Sequence, residues 1–302
     1  MARFGAVVTA MVTPFDAEGA LDLDAAVRLA RWLVDHGSDG LVIAGTTGEG
    51  PVLTDPERLD LVGAVCEAVT VPVVASTGSN DTAHSVELTR QAKGRGAAGC
   101  LVVTPYYNRP SQAGIAAHFE AVAAATDLPV LIYDIPIRTG RKVATEVLAR
   151  LARDVPNVTG VKDAAADVAA TARLAAEAPS GFEIYSGNDD HTLALLALGA
   201  VGVVSVASHW AGTATAEMIA AFSKGDVAGA RQVNCELLHS YRFEASDAAP
   251  NPMPAKAMMR VLGHDVGQCR LPLGPAPTAV EDEARAVLAG LGTGRGRPGT
   301  DG

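Results

Sequence analysis

The chain is poor in the features that would point to disulfides, metals or nucleic acid. Among 302 residues there are four cysteines, at 66, 100, 235 and 269, with no CxxC pair and no Cys/His spacing suited to zinc. A disulfide framework is excluded as the basis of the fold, and free thiols in a reducing compartment are expected, mainly as buried structural groups. Aromatics make up only 4% of the chain, and 24 Lys plus Arg face 34 Asp plus Glu for a net charge of −10. No basic stripe forms, so the footprint that phosphate binding requires is missing and neither DNA nor RNA is an expected partner. The one long charge-free stretch, 192–216, is interrupted by Gly199, Gly202, Ser205, Ser208 and His209. It reads as a buried strand and its surroundings rather than a membrane span. The apolar start, MARFGAVVTAMVTPF, runs into Asp16 without a small-residue cleavage pattern. It reads as a first strand, and the expected location is cytoplasmic. No G-x-G-x-x-G follows an early strand, which argues against a doubly wound nucleotide-binding sheet. The seven histidines, at 36, 84, 118, 191, 209, 239 and 264, show no ligand spacing, so no metal or other cofactor is expected. His118 and His239 read as helix-surface residues.

What is present is regular. Short β-branched or aliphatic runs recur about every thirty residues, at 6–13, 40–44, 71–75, 100–104, 130–133, 158–162, 182–186 and 202–207. Ala-rich segments with helical spacing lie between them, at 24–36, 55–69, 81–95, 111–126, 144–153, 167–178, 189–198 and 213–222. Asp24, Asp55, Asp81, Ser111 and Asp189 stand at or beside helix starts, where a side-chain oxygen can accept an orphan N–H. Apolar runs without alternation imply strands buried on both faces, and parallel pairing requires helical crossovers. Eight such units predict an α/β fold, a (β/α)8 TIM barrel over 1–230. A C-terminal helical region is expected over 231–291, with helices at 228–240, 254–261 and 279–291, and then a disordered tail over 292–302.

In a barrel of this kind chemistry belongs to the loops after the C-terminal strand ends. Those positions carry Gly45-Thr46-Thr47-Gly48-Glu49-Gly50 after the second strand and Thr104-Pro105-Tyr106-Tyr107-Asn108 after the fourth. Tyr133 through Gly140 follow the fifth, Lys162-Asp163 end the sixth, and Ser186-Gly187-Asn188-Asp189 end the seventh. Three of the five tyrosines fall on this rim with a lysine at a strand end. Loss of hydration there favours the neutral amine, which can attack a carbonyl. An ordinary ion pair with Asp163 is the plainer alternative. Tyr133, one strand away, is placed to move protons on a carbinolamine, and Thr47 can relay them through its hydroxyl. The N–H groups around Thr46 and Thr47 can hold a carboxylate, and the Arg138 guanidinium can grip another through two parallel hydrogen bonds.

The segments GTTGEG (45–50), VTPYYNRPSQ (103–112), YDIPIRTG (133–140), VKDA (161–164), YSGND (185–189), GVVSV (202–206), NPMPAK (251–256) and RLPLGP (270–275) resemble the N-acetylneuraminate lyase/dihydrodipicolinate synthase family, on its dihydrodipicolinate synthase branch. The resemblance runs from about Gly5 to Pro277 in order and spacing. It implies a class I condensation of pyruvate with L-aspartate 4-semialdehyde in diaminopimelate and lysine biosynthesis. By resemblance, Lys162 forms the imine, and Tyr133 is the acid/base, linked through Thr47 to a Tyr107 that reaches in from a neighbouring subunit. Thr46 and Thr47 hold the pyruvate carboxylate, Arg138 holds that of the semialdehyde, and Gly187 and Val204 line the pyruvate pocket. A homotetramer, built as a dimer of dimers, is the implied assembly.

The chain departs from the pattern in places. Family members often have Asn after the catalytic tyrosine and Gly or Ser before the arginine, where this chain has Asp134 and Ile137. Lysine-inhibited members carry Asn, an acid and Tyr at positions matching Asn80, His84 and Tyr106, with a His in the loop at the position corresponding to Arg58 or Asp55. His84 supplies no negative charge for a lysine ammonium, so feedback is expected to be weak or absent. Two other readings remain: a different pyruvate lyase on the same scaffold, such as an N-acetylneuraminate lyase or keto-deoxy sugar-acid aldolase, and a keto-acid-binding barrel without turnover. Relatives of the first kind generally lack an arginine matching Arg138.

Overall fold

The β-branched runs all become strands: β1 (Val7–Ala10), β2 (Gly40–Ile43), β3 (Val73–Ser76), β4 (Gly99–Val103), β5 (Val130–Asp134), β6 (Val158–Asp163), β7 (Glu183–Ser186) and β8 (Gly202–Ser205). They belong to a computed structural model that describes residues 2–293. Neighbours in sequence pair in parallel, and β8 closes on β1 with Val8 opposite Val204 and Thr9 opposite Ser205. The closed (β/α)8 barrel is therefore the fold, with a helical crossover between each pair of strands. After β8 come the helices Ser208–Ser223, Val227–Phe243, Met253–Val261 and Thr278–Thr293. The last of these reaches into the range expected to be a tail, and residues 294–302 lie outside the described residues. No helix among the described residues is long and apolar enough to cross a membrane.

Burial explains the absence of alternation. One set of strand residues, including Val8, Val42, Val74, Leu101, Leu131 and Tyr185, fills the barrel interior. The other set, including Leu41, Ile43, Val73, Ile132 and Val161, packs outward under the helices. Both faces are apolar because both are covered.

Several local expectations shift. The first two helices are capped by Asp22, which accepts from the Ala25 N–H, and by Thr54 in a reciprocal box with Glu57, rather than by Asp24 and Asp55. Asp81 and Ser111 cap as expected. Asp189 begins a 3-10 turn, and its carboxylate turns back to accept from the Ser205 hydroxyl and the Val206 N–H. His118 is buried, not on the surface, because its side of the helix Gln112–Ala123 packs inward. There Thr82 Oγ1 lies 3.0 Å from its Nδ1, and burial pushes the imidazole down to about 4. The cysteines are all free, but Cys235 is exposed and Cys66 only partly buried.

The C-terminal helices are joined to the barrel by charge as well as by apolar packing. Lys256 of Met253–Val261 is buried and meets Glu49 Oε1 at 2.6 Å. Its ammonium also donates to Gln268 O at 2.9 Å and lies over the Phe15 ring. Burial pushes the Lys256 amine down, and Glu49 opposes that shift. Arg270 adds a partly buried bridge to Glu57, whose carboxyl falls to about 2, chiefly through its hydrogen bond with Arg270. Lys256→Met leaves the Glu49 charge buried and unpaired, and should lower the unfolding free energy in a denaturant titration by about 3–5 kcal/mol. Combining it with Glu49→Gln, which keeps an acceptor for the Arg270 N–H, should recover part of that loss.

Candidate active site

Strand register assembles the centre of the site. On β5 and β6, Tyr133 stands opposite Lys162 and Asp134 opposite Asp163. Because side chains alternate along a strand, the first pair points into the barrel and the second pair away from it. The Lys162 amine lies 4.2 Å from the Tyr133 ring centroid, and both residues are buried. The plain alternative for this lysine, an ion pair with Asp163, does not form. The Asp163 carboxylate instead accepts from the Ala165 N–H at 3.0 Å and the Thr171 hydroxyl at 2.6 Å. Among the described residues no carboxylate pairs with Lys162, and its amine lies over the Tyr133 ring, uncommitted to an ion pair.

Above Tyr133 a cavity of about 430 Å³ opens, lined in part by Thr46, Arg58, Tyr106, Tyr107, Tyr133 and Arg138. The loop between β2 and the next helix forms one wall. Gly50 has no room for a side chain, since a Cβ would strike the Ala44 carbonyl, and the Gly50 N–H instead donates to Gly45 O at 3.0 Å. The two threonines of this loop separate. Thr46 faces the cavity, whereas Thr47 is buried and its hydroxyl accepts from Asn251 Nδ2 at 3.0 Å. Glu49, in the left-handed region at φ 55°, turns its carboxylate toward Lys256 and also accepts from the Arg270 N–H at 2.9 Å.

Arg138 arrives on a feature too short for sequence periodicity to signal, the single helical turn Pro136–Thr139. Proline begins the turn and Gly140, at φ 71°, ends it, with the Gly140 N–H donating to Pro136 O at 2.8 Å. The Arg138 guanidinium is exposed on the rim and has no side-chain partner among the described residues. Tyr107 is 89% exposed at φ 68°, which leaves its ring free for a neighbouring surface. Gly187 and Val204 lie deeper. The Gly187 N–H donates to Asp163 O at 2.7 Å, and a Cβ there would come within 2.7 Å of the Ala164 Cβ. Val204 is part of the interior packing beside Tyr133 and Tyr185. Neither these two residues nor Lys162 or Thr47 is among those that line the open cavity.

One group of residues around the site was not assigned from sequence. Asn251, Lys256 and Arg270 reach the β2 loop from the C-terminal region, and Asn251 is separated from Thr47 by 204 positions, beyond any local signal. Their segments stood out only through the family resemblance. In the corner matched to the lysine site, Arg58, which lines the cavity, donates to Ser76 O at 3.1 Å and Gly50 O at 2.7 Å, and Asn80 donates to Asn108 Oδ1 at 3.1 Å. His84 is paired with Asp55 at 2.9 Å, so the acid absent at position 84 stands at 55, already engaged.

Comparison with known proteins agrees with this geometry. The model of the Dihydrodipicolinate synthetase family matches residues 3–290. The 4-hydroxy-tetrahydrodipicolinate synthase of Moorella thermoacetica is 46% identical over 96% of this chain and 99% of its own length. That of Parasynechococcus marenigrum is 50% identical over 95% and 93%. The crystal structure of the Cyanidioschyzon merolae dihydrodipicolinate synthase with lysine bound superimposes with a TM-score of 0.94 at 40% identity, covering 97% of this chain and 99% of that one. By sequence model, by curated relatives and by fold, the chain belongs to the dihydrodipicolinate synthetase family.

Proposed function

We propose that the chain catalyses the 4-hydroxy-tetrahydrodipicolinate synthase reaction, the Schiff-base condensation of pyruvate with L-aspartate 4-semialdehyde. The observation that carries this reading is the register of Tyr133 opposite Lys162, beneath a cavity that Arg138 also lines. The Lys162 amine attacks the pyruvate carbonyl carbon and water leaves, giving an imine. Loss of a methyl proton gives an enamine, whose terminal carbon bonds to the aldehyde carbon of the second substrate. Attack of that substrate's own amine on the imine carbon then closes the ring and frees Lys162. Tyr133 carries the protons these steps require.

The cavity favours Thr46, rather than Thr47, as the hydroxyl between Tyr133 and Tyr107, because Thr46 lines it with both tyrosines and Thr47 does not. Thr47 retains the role of a backbone donor to the pyruvate carboxylate. Gly187 and Val204 complete that pocket, and Arg138 binds the semialdehyde carboxylate. The exposure of Tyr107 supports a homo-oligomer, a dimer of dimers, in which this ring serves the neighbouring subunit's site. A cytoplasmic location fits the reaction. The sugar-acid lyase alternative is weakened by Arg138, and a barrel without turnover by the uncommitted Lys162 amine.

The primary test is initial-rate condensation, coupled to reduction of the product with NADPH consumption as readout. Lys162→Ala should lower turnover by roughly 10³-fold or more and abolish the borohydride-trapped pyruvate adduct. Arg138→Ala should keep the adduct but lower kcat/KM for the semialdehyde by roughly 10- to 100-fold. Adduct formation without condensation would move the acceptor to a sugar-acid aldehyde. Because His84 occupies Asp55, sub-millimolar lysine should leave the rate unchanged, and inhibition in that range would refute the reading of this corner.

A further inference from the structure

Asp134 is a buried carboxylate with no part in the chemistry above. It ends β5 one residue after Tyr133 and points away from the barrel, beneath the segment 135–143 that carries Arg138. Asp134 Oδ1 accepts the Val143 N–H at 3.1 Å, so one carboxylate joins the two ends of that segment. Oδ2 faces the Lys142 ammonium at 3.8 Å, which also stands 3.9 Å from Asp167. The far end is steadied by Gln112, which donates to Lys142 O at 2.8 Å and accepts from the Ala144 N–H at 2.9 Å. The ionisable neighbours are thus Lys142 from the segment itself, Asp163 from β6 and Asp167 from the following helix cap.

We propose that Asp134 is a positioning residue for Arg138, its ionised carboxylate closing the 135–143 segment so that the guanidinium is held ready for the acceptor's carboxylate. The proposal rests on the assignment of Arg138 to that carboxylate. An ionised acceptor holds the Val143 N–H more strongly than a neutral one and attracts Lys142, and both effects are lost when the carboxyl takes a proton. Burial pushes the Asp134 carboxyl up to about 6, with Asp163 adding to the rise and the Val143 N–H and Lys142 opposing it. The change therefore falls within the range over which an enzyme can be assayed.

Stability and binding move in opposite directions. The folded value lies above the ordinary one, so the native state holds this proton more tightly than the unfolded chain does. Its contribution to stability is present at low pH and is lost as pH rises toward about 6. Asp134→Asn keeps an oxygen for the Val143 N–H and removes the ionisation. It should raise the melting temperature at pH 7.5 and have little effect near pH 4.

For the wild type, KM for L-aspartate 4-semialdehyde should fall by roughly 2- to 10-fold as pH rises through about 6, with no matching step in kcat. In Asp134→Asn that step in KM should vanish while the borohydride-trapped pyruvate adduct still forms. A merely structural role would move the melting temperature and leave the KM profile as in the wild type, which overturns the proposal. Arg138→Ala separates the two failures. If that variant raises KM but Asp134→Asn keeps the wild-type step, the role of Asp134 alone falls; if Arg138→Ala leaves KM unmoved, the arginine's assignment falls and the positioning role falls with it.

Discussion

The buried ion pair between Glu49 and Lys256 is the contact on which the arrangement of the site depends. A charge sealed from water must find a partner, and these two residues are each other's ion-pair partner, with the Gln268 carbonyl and the Arg270 N–H completing their contacts. Satisfying Glu49 holds the β2 loop in a left-handed turn immediately after Thr46 and Thr47. Satisfying Lys256 holds the helix Met253–Val261 against the barrel, which in turn brings Asn251 to Thr47 and Arg270 to Glu49 and Glu57. The helices after β8 are therefore part of the site's construction, although none of their side chains lines the cavity.

A second constraint comes from the pleat. Tyr133 and Lys162 point inward only because Asp134 and Asp163 point outward, and alternation keeps both carboxylates away from the amine. Each acid is then used for construction: Asp163 binds Thr171 and Ala165, and Asp134 binds Val143. Four residues on two adjacent strands thus divide into a reactive pair and a structural pair. A shift of one position in register would exchange them.

Much of this was legible in the chain. Eight β-branched runs at a spacing of about thirty residues left a parallel barrel as the best solution, and all eight became strands. The rim residues followed from that placement, because the fold assigns chemistry to one end of each strand. Less legible were features whose cause lies outside a local window. The turn Pro136–Thr139 is a single helical turn, too short for periodicity to show. The inward face of His118 depends on which side of its helix meets the core. Asp22 caps the first helix because the chain enters it one residue before 24, and Thr54 caps the second because Asp55 is already its first helical residue.

The sequence by itself determined the barrel, the order of its strands and the identity of the residues at its mouth. Hydrophobic run length, helix spacing and the right-handed crossover of parallel strands are local properties that leave few other topologies. Only the tertiary structure decided which threonine faces the cavity, that Asp163 is engaged elsewhere and leaves Lys162 uncommitted, and that Glu49 is held by a lysine from the far end of the chain. Those outcomes depend on side-chain direction and on contacts between distant segments. Both are set when buried charges and hydrogen-bond donors find partners in three dimensions, which no spacing along the chain encodes.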